Sequence, residues 1–107
     1  LQKVWADGVK ILWSAQAEAD LDAIHAFIAR DSAHYADLQI KRIVERVVYV
    51  ASHPMSGHHV HEHPAEGLRE VHSGTYRIIY HRSDTQFVVV TVVHMKQRLS
   101  RKRLRGA

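Results

Sequence analysis

Apolar positions along the chain change period twice, and the changes mark its parts. Val9, Ile11 and Trp13 fall on one face of a short β-rich run, which predicts a strand over 9–13. Ser14 then offers an N-cap, and Ala17, Leu21, Ile24 and Ile28 follow at steps of four, three and four. That spacing is one face of a helix, expected over roughly 15–30. Glu18 and Asp20 stand in its early turns, where the helix dipole favours negative charge. Asp31 and Ser32 can cap a second helix, whose apolar positions Ala36, Ile40, Ile43, Val47 and Val50 repeat at steps of four and three. Pro54 forbids its continuation. Two amphipathic helices on a short link make a helical hairpin.

The stretch 53–67 has two prolines, two glycines and five histidines, and predicts a loop with a short extended piece around Val60–Glu62. Strand-like runs follow at 68–72, 75–82 and 86–94, separated by Ser73-Gly74 and by Ser83-Asp84-Thr85, the lengths of hairpin connections. Phe87 to Val93 is almost continuously apolar, so this strand is expected at the centre of the sheet, covered on at least one face. The predicted class is α+β in the order β-α-α-β-β-β, a helical hairpin packed on one face of an antiparallel sheet. Residues 1–8 show no period and are expected to be an extension of a domain spanning 9–95, with a basic tail over 96–107.

Composition narrows the chemistry. A chain of 107 residues, 46% hydrophobic, can bury one core but hardly two. No apolar run reaches the roughly 18 to 20 residues that span a bilayer, and no signal-type segment opens the chain, so a cytoplasmic address is the expectation. The absence of cysteine excludes disulfides, thiolate metal sites and cysteine nucleophiles. Net charge is +4, but six cations, Lys96, Arg98, Arg101, Lys102, Arg103 and Arg105, lie in the last thirteen residues with no acid among them. Outside that segment nine basic side chains stand against eleven acidic ones, a formal charge of −2. The segment is either a solvated end or an arm for phosphates or an acidic protein surface.

Three groups of side chains invite chemistry. His58, His59, His61 and His63 are spaced closely enough for zinc or nickel, but in an extended segment His59, His61 and His63 share a face with no carboxylate fixed beside them. A polar loop is the plainer reading, and neither a metal nor another cofactor is expected. Arg69, Glu70 and Arg77 lie on neighbouring strands, where opposite charges come within reach across the ladder. Tyr76 and Tyr80 share a strand face with Ile78 and are expected in the core.

The order of several marks resembles the ParE/RelE superfamily of toxins from bacterial toxin–antitoxin, or plasmid stabilisation, modules. They are Trp13-Ser14, Ala17, Asp20-Leu21, Ile24 and Phe27-Ile28, then Pro54-Met55-Ser56-Gly57, Val60-His61-Glu62, Leu68-Arg69-Glu70, Tyr76-Arg77-Ile78-Ile79-Tyr80 and Val93-His94. The likeness runs from about Val9 to Leu99 and is greatest to the ParE branch, with one departure: His58 stands after Gly57, where the family often has an arginine. ParE-like toxins poison DNA gyrase and are neutralised by an antitoxin from the same operon. The resemblance implies gyrase contact through Lys96, Arg98, Arg101, Lys102, Arg103 and Arg105, without catalytic residues, and antitoxin contact along the helices at Leu21, Ile24, Ile28, Ile40 and Val47. A homodimer or a larger complex with antitoxin is compatible with it. The RelE branch cleaves mRNA on the ribosome, and implies the alternative of Glu62 or His94 as acid or base with Arg69 and Arg77 as phosphate clamps.

Overall fold

A computed structural model of the chain describes residues 4–6 and 8–105. Six strands form one sheet: β1 (Val4–Ala6), β2 (Val9–Trp13), β3 (His58–His59), β4 (Arg69–Ser73), β5 (Tyr76–Arg82) and β6 (Gln86–His94), in the spatial order β1-β2-β6-β5-β4-β3. Helices α1 (Ala15–Ala29) and α2 (Ala33–Ala51) follow β2, a 3-10 turn covers Pro64–Glu66, and a short α3 spans Arg101–Leu104. The class is the α+β arrangement expected, with one refinement: β2 pairs parallel to β6, while the remaining pairs are antiparallel. The whole helical hairpin lies between β2 and the meander and provides the long crossover that a parallel pair needs.

Local chemistry sets the helix ends. Ser14 accepts the Ala17 N–H at 3.0 Å, and Ser32 accepts that of Tyr35 at 3.2 Å. At the other end of α2, the Arg82 guanidinium donates to the Ala51 carbonyl at 2.8 Å, placing a cation where the helix dipole is negative. The hairpin's apolar stripe enters the core, with Ala17, Leu21, Ile43, Val47 and Val50 buried against Ile11, Ile78, Tyr80, Phe87 and Val89.

Along β6 the neighbour changes. The pairing of β2 with β6 ends at Trp13 opposite Val89. Beyond it, α1 satisfies the strand's open edge with side chains: the Ser14 hydroxyl donates to the Val90 carbonyl at 2.6 Å, and the Asp20 carboxylate accepts the Val92 N–H at 2.9 Å. A buried strand edge must find partners for these groups, and here a helix supplies them. Asp20, expected in the early turns of the helix for its negative charge, is therefore buried.

Four boundaries differ from expectation. Val4–Ala6 pairs antiparallel with β2, so this part of the supposed extension is an edge strand of the sheet. Residues 1–3, 7, 106 and 107, and the side chain of Trp5, lie outside those described. The basic segment is not a free tail: Leu99 is buried with Val60, Leu68, Ile79, Val90 and Val93 in a second, smaller core, and Leu104 packs against it. The extended piece of the histidine-rich loop falls at His58–His59, because Val60 turns its side chain into that second core. Strand β4 also runs one residue further, leaving Gly74-Thr75 as the turn, with Gly74 at φ 59°.

Candidate functional site

Strand alternation gives the sheet two unlike faces. Tyr76, Ile78 and Tyr80 of β5 point into the core beneath the helices, and Tyr80 stacks on Phe87 with ring centres 4.4 Å apart. Arg77 and Ile79 take the other face. There Ile79 joins the second core, while Arg77, nearly buried, is the centre of a charged cluster.

Both carboxylates around Arg77 hold it fast. Its Nε donates to Glu70 Oε2 at 2.5 Å, and its Nη1 and Nη2 donate to the two oxygens of Glu62 at 2.6 and 2.9 Å. Such a forked, charge-assisted pair fixes both partners. Hydrogen bonding from Arg77 holds the Glu62 carboxyl below its ordinary range, and the same bonds from Glu62 and Glu70 hold the guanidinium proton more tightly than usual. Two imidazoles flank the buried Glu70: His58 Nε2 lies 3.3 Å from Oε1, and His72 Nε2 lies 3.8 Å from Oε2.

The four residues of the nuclease alternative do not converge. Only Glu62 and Arg77 touch. Arg69 pairs with Tyr80 across the ladder and so lies on the helix side, where its Nη2 donates to the Gly57 carbonyl at 2.8 Å. His94 is also on the helix side, at the far end of β6, edge-on to Tyr76 with its Nδ1 accepting the Lys96 N–H at 3.1 Å. Odd spacing between Arg69 and its neighbours, read through a period of two, separates groups that are close in sequence.

Gly57 stands at the start of this region with φ 84°, and a side chain there would run into the Tyr80 hydroxyl and come within 3.0 Å of the Glu70 carbonyl. Tyr80 donates to the Ser56 carbonyl at 2.9 Å, so the ring cannot move aside freely.

The C-terminal cations divide into two kinds. Lys96, Arg98, Arg101, Lys102 and Arg105 are exposed. Arg103 is not available in the same way: its Nη1 donates to Asp20 Oδ1 at 2.6 Å. Asp20 also accepts from Gln16 Nε2 at 2.7 Å and from the Thr91 hydroxyl. A single carboxylate thus ties α1, β6 and α3 together, and Arg103 belongs to the scaffold.

The expected helical contact residues divide as well. Leu21 and Val47 are in the core, whereas Ile24, Ile28 and Ile40 are half-buried and reach the surface. On the helical hairpin the most exposed large apolar groups are aromatics off the periodic stripe: Phe27 at 65% exposure, Tyr35 at 64% and Tyr49 at 50%. Periodicity finds the stripe that packs, and an aromatic outside it is the signal that could have marked them. Ile24, Phe27, Tyr76, Val92 and His94 line an open groove of about 440 Å³ between α1 and the end of the sheet, closed at one side by the Asp20–Arg103 pair. Among the described residues, no helix is long and apolar enough to cross a membrane.

The family described as "ParE toxin of type II toxin-antitoxin system, parDE" matches residues 11–99. No curated protein matches the chain. Among solved structures, a chain of the "Chromosomal ParDE TA system from P. aeruginosa" superposes with a TM-score of 0.69 at 19% identity, covering 81% of this chain and 96% of that one. At that identity the likeness is one of fold.

Proposed function

Because this chain belongs to the ParE toxin family of type II toxin–antitoxin systems, we propose that it arrests growth in the cytoplasm by binding DNA gyrase, and that a cognate antitoxin neutralises it. The observation that favours this over RNA cleavage is the state of Arg77. A phosphate clamp needs free N–H groups, and this guanidinium spends three on Glu62 and Glu70. Arg69 and His94, the other members of a nuclease set, sit on the opposite face. Action by occupancy needs no converging acid and base. It needs an accessible surface, and the five exposed cations of the C-terminal segment form one held in place by the burial of Leu99.

Antitoxin binding is assigned to the helical hairpin around Ile24, Ile28 and Ile40, extended by the exposed Phe27 and Tyr35. Burial of such aromatic anchors is the usual source of affinity at an interface.

Expression without antitoxin, with DNA breaks and mRNA cleavage scored in the same cells, tests the reading. DNA breaks with intact mRNA are expected. Cleaved mRNA with intact DNA would overturn gyrase in favour of the ribosome. Truncation after Gln97 is a poor probe of the cationic surface, since it removes Leu99 from the second core and Arg103 from Asp20. The informative variant is the quadruple change Arg98→Gln, Arg101→Gln, Lys102→Gln and Arg105→Gln. It should change stability by no more than about 1 kcal/mol in all, keep antitoxin binding and lose gyrase binding.

A further inference from the structure

We infer that the sheet face opposite the helices carries a site for a divalent transition metal of the zinc class, formed by His58, Glu70 and His72. Their ligating atoms all lie within 4.8 Å of one another. Zinc bonds of about 2.0–2.1 Å in tetrahedral geometry place ligand atoms about 3.4 Å apart. His58 Nε2, 3.3 Å from Glu70 Oε1, is already near that value, and His72 Nε2 lies 3.8 Å from the other oxygen, Oε2. With the glutamate fixed, bringing ligand atoms that lie within 4.8 Å of one another to that spacing asks for a closure of up to about 1.4 Å, shared by two part-exposed imidazoles.

All three ligands come from paired strands. Glu70 and His72 are two apart on β4 and share a face, and His58 is the residue opposite Glu70 in the β3–β4 register. His59, the next residue in β3, pairs with Arg69 and takes the other face. The set is therefore different from the run His59, His61 and His63 that the sequence suggests. It includes the carboxylate which that run lacks. Two neutral imidazoles and a carboxylate are a donor set suited to zinc, cobalt or nickel, with the remaining position open to water or to His61, whose ring centre lies 6.3 Å from that of His58.

Outer contacts prepare the glutamate for this role. Arg77 Nε orients Oε2, as a hydrogen-bond partner behind a metal-bound carboxylate commonly does. The guanidinium would repel a cation if it stood alone, but Glu62 pairs with it through both oxygens. With neutral imidazoles, Glu62, Glu70 and Arg77 sum to one negative charge, which attracts a dication and leaves one positive charge at ligands that are part-exposed to solvent. The inference does not depend on the target of the toxin.

Titration of the chelator-treated, tag-free chain with zinc chloride, followed by calorimetry, tests it, with cobalt absorption as the reporter of coordination geometry. One saturable equivalent is expected. His58→Asn and His72→Asn should each weaken it at least tenfold, and His59→Asn should leave it unchanged. Both ligand changes are at part-exposed side chains, so thermal unfolding without metal should match the parent, and zinc should raise the midpoint only in the parent and in His59→Asn. Absence of a saturable equivalent overturns the proposal. So does equal weakening by His59→Asn, which would mean diffuse uptake by a histidine-rich surface.

Discussion

Beneath the helices, Ile11, Ile43, Val47, Ile78, Phe87 and Val89 bury their side chains almost completely, and Tyr80 is the aromatic that reaches the rim with its hydroxyl. On the reverse of the same strands, a smaller apolar cluster around Leu99 covers one end, and Arg77 with two carboxylates and two nearby imidazoles occupies the other. Sheet alternation assigns neighbouring residues of β5 to these opposite regimes. The lesson is a separation of labour: the helix side supplies most of the apolar burial, so the reverse side can hold a charged cluster whose cost the larger core offsets.

The largest test of that contrast is removal of Phe87. Phe87→Ala should destabilise by about 3–5 kcal/mol in urea unfolding, and Leu99→Ala by about 2–3 kcal/mol, at the lower end for a large-to-small core change. Equal losses would show that the second core is no lesser partner. Next is the link between the two sides. Asp20→Ala deprives Val92 N–H, Thr91 and Arg103 of their acceptor and should cost about 3 kcal/mol, whereas Arg103→Gln, at a part-exposed position, should cost about 1 kcal/mol. If the two changes were equal, Asp20 would serve only as the arginine's counter-charge.

Gly57→Ala probes how tightly the loop approaches the sheet. Strain at a positive φ and the collision with Tyr80 should together cost about 2 kcal/mol, measured by the thermal midpoint, and Tyr80→Phe should relieve part of it. The smallest effect belongs to Glu62, whose carboxylate is part-exposed. Its folded pKa is depressed by Arg77, so its contribution is present above the unfolded value and disappears as pH falls through the folded one. Glu62→Gln should therefore lower stability by under about 1 kcal/mol at pH 7, and the gap from the parent should close toward pH 3. A gap that widened in acid would contradict the pairing.

Much of the fold was legible because it rests on local period. Ser14 and Ser32 cap where a polar residue precedes an apolar stripe, and β2 and β6 have the bounds that their apolar runs imply. The parallel β2–β6 pair was less legible, since chain order says nothing of strand direction within a sheet. The candidate site was read only in part. Cross-strand pairing of Arg77 with Glu70 follows from neighbouring strands, but the bidentate grip of Glu62 comes from a loop with no period.

By itself, then, the sequence determined the two long helices and the strands β2, β4, β5 and β6, and which of their faces are apolar, because these depend on residues three, four or two positions apart. Tertiary structure alone decided that Asp20 lies under Arg103, eighty-three positions away, and that His58 stands opposite Glu70. Those meetings depend on where α1 replaces β2 along β6 and on the register of a two-residue strand. Both are set by how the whole chain closes over its core, and no local spacing encodes them.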